Sequence, residues 1–559
     1  MFPEHPPIVQ KSLNRTFVVT GLVFCFVLAW CVLLFQGLPA SDIDDWYRVL
    51  MARQVNWNTY ASSFFKPWSL SLDWAGQTDA LDAIHTKRIL NPIVLKFSQQ
   101  VFGLNSFAMY FLAKGLFFAG CVSVVFLLLV QVVPLLFAVS GMIVFLFVPA
   151  HYIHVLWIAD GGTMCYFFLF LGVLIVSAVQ KNILELGPRK QYACLLLTLF
   201  ITGWMGIKAK ESMLVLPLVV FLYSLFCFRS WKVAPLKFIL LNITMLIVAF
   251  QIVPITNLNA AAVPSLNFNF ETIGRLFFRN YDCGYDNETV SAFFSLEHVW
   301  PVSVARTIGF FILWTTVISS VFLVWKRWIL KKNAVMSFWN HSLVQICGLW
   351  LIAELPFLGM FQADPRYFSG TMAPIIILTV RLAYCATKEM GRFWSLALLL
   401  LWIFSIGSNI YENIQSTLSI RLILGQKFNY LLETAKTVLE DIKGEKVDND
   451  LEVGEFYARI KDGSHLNPPI KNYVFYANLG IGYDGWNLMP FGQNSLEDFK
   501  LHAKKGYKYY ITVEELDLSK TSDVKQVDIV DGINKDSFLE QLLYKAKKKY
   551  PKKVKIYKT

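Results

Sequence analysis

The sequence predicts a polytopic α-helical membrane protein of about 11 transmembrane helices with a C-terminal soluble α/β domain. Three observations carry this: an apolar composition, its distribution in long runs, and basic clusters that fall on one side of those runs. Hydrophobic residues make up 55% of the 559 residues and charged residues 16%, against about 25% charged in soluble domains. Such a balance cannot be buried in one water-soluble core. The apolar residues lie instead in many runs of about 17–25 residues, the length that crosses a bilayer as a helix.

The first run, 17–37, follows Lys11 and Arg15. Its length and the lack of a small-residue cleavage site mark an uncleaved span rather than a signal peptide. Further spans are expected at 106–130, 132–149, 162–180, 191–206, 213–228, 238–255, 302–325, 341–360, 368–387 and 393–411. Basic clusters then orient the set. Lys11 and Arg15; Lys181, Arg189 and Lys190; Arg229, Lys232 and Lys237; Lys326, Arg327, Lys331 and Lys332; and Lys388 and Arg392 all fall on one side. That side is the cytoplasm, since positive charge is retained there. The turn at Gln131–Pro134 has no basic residue of its own. The same rule accounts for the formal charge of +12 without nucleic acid as a partner. Nine cysteines are scattered, mostly within apolar runs and without a CxxC pair, as packing residues are.

The expected extracytoplasmic face receives loop 38–105, the short loop 150–161, the turn at Lys208–Ser212, loop 256–301 and the segment Gln362–Arg366. The division expected is a membrane domain over 1–411 and an extracytoplasmic α/β domain over 412–559. The tail is charged, with strand-like runs at Asn472–Asn478, Tyr507–Val513 and Val554–Tyr557. Helical patterns near 427–443, 495–505 and 535–547 alternate with them.

Several polar residues on that face could carry chemistry. Asp42, Asp44 and Asp45 stand together just after the first span. Such a cluster can supply a base or hold a cation, or can cap a helix whose first turn favours acidic residues. His151 and His154 have a spacing that can share a metal, or are ordinary loop residues. Asp160, before Gly161-Gly162, stands at the mouth of the fourth span, where a carboxylate is costly unless used. Lys208 and Lys210 form a basic turn with Glu211. They read as a phosphate site, or as lysines snorkelling to headgroups. Arg366 either meets the same anion or pairs with Asp364. Lys114 lies inside the second span, facing a cavity or snorkelling outward. Arg88 and Lys87 add cations in the first loop. Glu354 precedes Pro356, where it either bonds backbone freed by a kink or carries chemistry.

At this point the chain resembles the GT-C superfamily of membrane glycosyltransferases, and most of all its protein mannosyltransferase and lipid A aminoarabinose transferase branch. Asp44-Asp45 is similar to that family's acidic motif after span one. Arg88-Ile89-Leu90-Asn91-Pro92 through Phe102-Gly103 resembles an Arg-x-Leu…Phe-Gly pattern, and Lys114 stands where arginine is common. Asp160 matches an aspartate of the second outer loop. Lys210-Glu211-Ser212 before Pro217, and Arg366-Tyr367 before Pro374, resemble two later motifs. The acidic motif is Asp-Asp rather than Asp-Glu, and the bulky tail differs from the insertion usual in protein mannosyltransferases.

The resemblance implies a GT-C-like fold and transfer of a sugar from a polyprenyl-phosphate carrier outside the cytoplasm, with inversion. The acceptor would be a lipid-linked glycan or another envelope molecule. Asp45 is then expected as the base, Asp44 next, with Asp160 as a partner or metal contact. Lys210, Arg366, Lys208, Lys114 and Arg88 would meet the donor phosphate. A divalent cation stays open as a cofactor, because the family includes both cases. The rival is a flippase or transporter of lipid-linked glycans. It would be expected to keep its ionisable residues near the bilayer midplane, in broken helices at paired positions.

Overall fold

The computed structural model describes residues 7–36, 88–158, 160–184, 189–226, 234–249, 315–325, 341–360 and 369–389. It also describes stretches near 55–65 and 435–449, four strands in the tail, and isolated positions elsewhere. In chain order the helices are α1 (Pro7–Phe35), α2 (Trp57–Phe65), α3 (Leu90–Phe102) and α4 (Ser106–Tyr110). A five-residue π turn, Phe111–Gly115, carries α4 without a break into α5 (Leu116–Val132). Then come α6 (Leu135–Leu146), α7 (Pro149–Val155), α8 (Gly162–Leu184) and α9 (Arg189–Ala209). A short 3-10 turn, Glu211–Leu214, leads into α10 (Val215–Phe226). They are followed by α11 (Pro235–Ala249), α12 (Thr315–Trp325), α13 (Ser342–Met360) and α14 (Ser369–Glu389).

Among the described residues, five helical stretches are long and apolar enough to cross a membrane: Arg15–Phe35, Ser106–Val132, Gly162–Val179, Lys190–Ala209 and Ser369–Glu389. With these stretches the chain is an integral membrane protein. The shorter apolar helices α6, α10, α11, α12 and α13 fall at further expected spans. The span expected at 393–411 is described only at isolated positions.

Lipid does not drive helices together by hydrophobicity, so close packing must do so. The sequence supplies small residues where α8 meets its neighbours. A Cβ on Gly120 of α5 would fall 2.6 Å from the Phe167 ring, and one on Gly172 of α8 would fall 2.4 Å from Leu216 of α10. Buried Phe126, Phe145, Phe170 and Trp350 fill the interior around α8. Phe17, Val18, Leu22 and Phe26 of α1 stay exposed, as a lipid-facing surface should.

The turn between α5 and α6, which has no basic residue of its own, receives one from α14. Arg381 Nη1 donates to the Val132 carbonyl at 2.5 Å, with its guanidinium also over the Tyr384 ring. In the first loop, Lys96 of α3 turns inward. Its ammonium donates to the carbonyls of Ala52 and Arg53 at 3.2 and 3.4 Å and lies over Trp57 and Tyr60. Gly103 ends α3 with φ +66, a backbone that disfavours any Cβ. Asn105 then starts α4, accepting from the Ala108 N–H at 3.2 Å.

In the tail, β1 (Phe475–Asn478), β2 (Tyr509–Thr512), β3 (Lys525–Asp531) and β4 (Lys553–Lys558) form one mixed sheet in the order β1-β2-β4-β3. β1 pairs with β2 in parallel, while β4 is antiparallel to both β2 and β3. Three strands fall on runs read as strands. β3 was not among them: it is a charged segment with its register shifted between Gln526 and Asp528. Helical residues around 435–443 lie where a helix was expected, and Lys558 of β4 pairs with Asp441 there at 2.7 Å. The helical patterns at 495–505 and 535–547 lie outside the described residues.

Candidate active site

The loop between α7 and α8, residues 156–161, is held by side chains distant in sequence. Three alternate carbonyls each receive one donor. Tyr110 of α4 donates its hydroxyl to Leu156 at 3.2 Å, Asn91 of α3 donates its amide to Ile158 at 2.8 Å, and Lys114 of the π turn donates its ammonium to Asp160. The extra residue of the π turn shifts the helix register there, a device often found at functional sites. All three donors are buried. A buried carbonyl without a partner would be expensive, so these contacts fix the loop as well as reward it.

Asp160 is only 5% exposed, yet its carboxylate is fully engaged. Oδ1 accepts from the Gly162 N–H at 2.8 Å and from Lys210 Nζ at 3.1 Å; Oδ2 lies 2.6 Å from His154 Nδ1 and 3.3 Å from Lys210 Nζ. Burial pushes this carboxyl up. The positive charge of Lys210, then His154 and its hydrogen bond, then Lys114, outweigh that and hold it well below the usual carboxylate range. An ionised Asp160 makes His154 Nδ1 the protonated nitrogen of the pair.

Two glycines make the approach possible. A Cβ on Gly161 would lie 2.3 Å from the Ala209 carbonyl oxygen, and one on Gly162 would lie 2.4 Å from His154 Nδ1. The first lets the loop touch the end of α9, where Lys210 leaves the helix in an extended conformation, φ −164 and ψ 150. Cys165 of α8 donates its thiol to the Lys210 carbonyl at 3.6 Å, which fixes the backbone that carries the ammonium.

Of the residues singled out in the sequence, Asp160, Lys210 and Lys114 are therefore brought together. Lys208 is fully buried at the end of α9 with its ammonium 5.5 Å from the centre of the Trp204 ring. Arg88 is half-buried just before α3. Asp44, Asp45 and Arg366 lie outside the described residues. The two histidines part company. His151 sits between Phe118 and Phe145, and only His154 faces Asp160. Among the described residues no three His, Cys, Asp or Glu side chains gather to hold a metal ion.

Asn91 and Tyr110 are site residues that the sequence reading passed over. Their partners lie 67 and 46 residues away, and no local spacing announces them. Among the described residues Glu354 bonds a side chain rather than freed backbone. Its Oε1 accepts from Trp350 Nε1, one helical turn earlier, at 3.1 Å.

Chemically, the arrangement holds a buried ammonium, Lys210, against a buried carboxylate, with a second ammonium on the same loop. Asp160 and Lys210 stand at the ends of apolar helices, and Lys114 reaches them from within one. That suits an anionic group arriving at the membrane boundary.

No family model matches the chain, and no curated protein matches it. Solved structures similar to it include ArnT from Cupriavidus metallidurans in the apo state, at 13% identity and a TM-score of 0.42, covering 97% of this chain and 98% of that one. The same protein bound to undecaprenyl phosphate is similar at 12% identity and a TM-score of 0.41, over 98% of both chains. The Archaeoglobus fulgidus oligosaccharyltransferase in its apo form is similar at 11% identity and a TM-score of 0.49, over 88% of this chain and 69% of that one. The likeness is a loose one of chain course.

Proposed function

We propose that this chain is a membrane glycosyltransferase. It moves a sugar from a polyprenyl-phosphate carrier to a glycan, lipid or protein acceptor on the extracytoplasmic face. The observation that carries the proposal is the buried Asp160–Lys210 pair, with Lys114 and His154 both bonded to Asp160. Such a cluster is costly to assemble, and positive charge there is not needed for orientation in the membrane.

In the reaction proposed, a carboxylate takes the proton of the acceptor hydroxyl, and Asp45 is the residue assigned to that role, with Asp44 beside it. The acceptor oxygen forms a bond to the anomeric carbon from the face opposite the phosphate. The bond from that carbon to the phosphate oxygen breaks, and polyprenyl phosphate leaves with the electron pair, so the configuration inverts. Negative charge grows on the leaving phosphate, and preorganised cations there lower the barrier most. Lys210 and Lys114 are assigned to that task, with Arg366, Lys208 and Arg88 as further contacts. Asp160 is assigned as the residue that holds Lys210 in place, not as the base. A divalent cation is not required by this scheme, and Asp160 would be a contact for one.

The undecaprenyl phosphate bound to the similar ArnT structure makes a polyprenyl-phosphate sugar the donor to try first. Protein in lipid nanodiscs would be given labelled polyprenyl-phosphate sugars and a lipid-glycan fraction. Transfer by wild type, lost in a folded Asp45→Asn variant, is the expected result. Full activity of that variant would remove Asp45 as the base, and no turnover of any carrier would remove the enzyme.

A further inference from the structure

A second polar cluster lies one aromatic layer from Asp160, at the start of α14. His154, which bonds Asp160, packs its ring against Tyr166 at 5.3 Å between centroids. Tyr166 stacks on Phe170 at 6.1 Å, and Phe170 lies 5.6 Å from Trp350. Trp350 donates to Glu354, and Glu354 returns to Tyr166 across Gly370. A Cβ on Gly370 would fall 2.8 Å from Glu354 Oε1 and 2.9 Å from Tyr166 Cε1. The absence of a side chain at residue 370 is what lets a carboxyl, a phenol ring and the helix start meet.

The hydrogen-bonding capacity there is under-used. Ser369 and Thr371 are 1% and 2% exposed, and among the described residues neither hydroxyl has a hydrogen-bond partner. Pro374 lies inside α14 and has no N–H, so the Gly370 carbonyl lacks the donor a helix normally supplies from four residues on. Glu354 is 4% exposed, and its one hydrogen bond among the described residues is that from Trp350. Buried polar groups are almost always satisfied, and a set of exceptions in one place needs a reason.

We propose that Glu354, the Gly370 carbonyl and the hydroxyls of Ser369 and Thr371 form the site that receives the sugar carried on the lipid phosphate, binding its hydroxyl groups. The chemistry selects this ligand over a second phosphate. The Glu354 carboxyl and the Gly370 carbonyl can accept, and a sugar hydroxyl donates to them while a phosphate ester does not. None of these four groups is a cation, so a phosphate would find no charge partner among them. The two serine and threonine hydroxyls can donate or accept, as a ring of sugar hydroxyls requires. The inference rests on the glycosyltransferase reading: the anion would be held by the Lys210 cluster, and the sugar by this one.

The test compares two ligands on the same nanodisc-embedded protein: bare polyprenyl phosphate, and whichever of the polyprenyl-phosphate glucose, mannose, galactose and N-acetylglucosamine donors wild type binds tightest. Thr371→Val and Ser369→Ala keep the side-chain shape, and Glu354→Gln keeps the volume. Each of the three variants is expected to bind the sugar-bearing donor about 3- to 10-fold more weakly, as the loss of one hydrogen bond does. Affinity for bare polyprenyl phosphate stays within about twofold, the scatter of independent sites. Equal weakening toward both ligands, or no weakening toward the sugar donor, overturns the sugar site and leaves the enzyme standing. Wild type that binds neither ligand overturns both.

Discussion

Replacing Asp160 by asparagine removes one charge and keeps the shape, so its effect can be worked from the contacts. The carboxylate makes four contacts with three donors: the Gly162 N–H and Lys210 on Oδ1, His154 and Lys210 on Oδ2. Asparagine offers one oxygen and turns an NH2 toward a group that is itself a donor. Lys210 is 3% exposed and is left as a buried ammonium facing an amide. Removing one partner of a buried pair costs about 3–5 kcal/mol, because the other charge stays desolvated. Asp160→Asn should therefore lower stability by about that amount in an SDS titration of the purified protein in mixed micelles. Adding Lys210→Met should return most of it, since a neutral pair of similar volume is tolerated, and a double-mutant coupling of at least about 2 kcal/mol should result. The double variant regains stability and stays inactive, which separates folding from chemistry. A single Asp160→Asn variant within about 1 kcal/mol of wild type, or a double variant no more stable than the single, would refute the pairing argument.

The two glycines of the loop should not respond alike. Gly161→Ala drives a Cβ to 2.3 Å from the Ala209 carbonyl oxygen, backbone that cannot step aside. A loss of about 1–3 kcal/mol or more is expected by the same titration, and an unchanged midpoint would show that the loop does not touch α9 this way. Gly162→Ala meets the His154 ring at 2.4 Å, a side chain that can move; less stability and more activity should be lost, and the reverse order would count against the His154–Asp160 contact. His151 gives a pH prediction. Burial, then the neighbouring His154, pushes its pKa down to about 3 from a normal value of 6.5. A histidine neutral only in the folded state lends stability fully present above pH about 6.5 and lost at about 1.4 kcal/mol per unit as pH falls toward 3. The stability curve of His151→Phe between pH 7 and 5 should be flatter than that of wild type by this slope; parallel curves would show that His151 does not stay neutral.

The membrane helices were legible because an apolar run of 18 or more residues has few other uses, and because basic residues mark one side. The site was legible where a residue is conspicuous for being costly. Asp160 at a helix mouth and the Lys208–Ser212 turn drew attention for that reason, and Asp160 and Lys210 do meet. The rest depends on contacts that cross the chain. His151 and His154 share a spacing that fits a metal, but α7 is short and its two histidines enter different surroundings: an aromatic pocket for one and a carboxylate for the other. Asn91 sits beside a proline in a turn-like sequence, where only the fold reveals that its amide reaches the Ile158 carbonyl. Strand β3 escaped because its register shift breaks the alternation that marks a strand. The glycine pair Gly161-Gly162 was visible, while its purpose, admitting a carbonyl and an imidazole, was not.

The most direct test of the central claim is to follow both halves of a labelled donor, polyprenyl phosphate and sugar, in one reaction with the nanodisc-embedded protein and acceptor. The account predicts one free polyprenyl phosphate for each sugar transferred and an anomeric configuration opposite to that of the donor. It also predicts a rate reduced about a hundredfold or more in Lys210→Ala, as when a preorganised group on a developing charge is removed. A donor that crosses the bilayer with its sugar–phosphate bond intact, or a Lys210→Ala variant as fast as wild type, would contradict it.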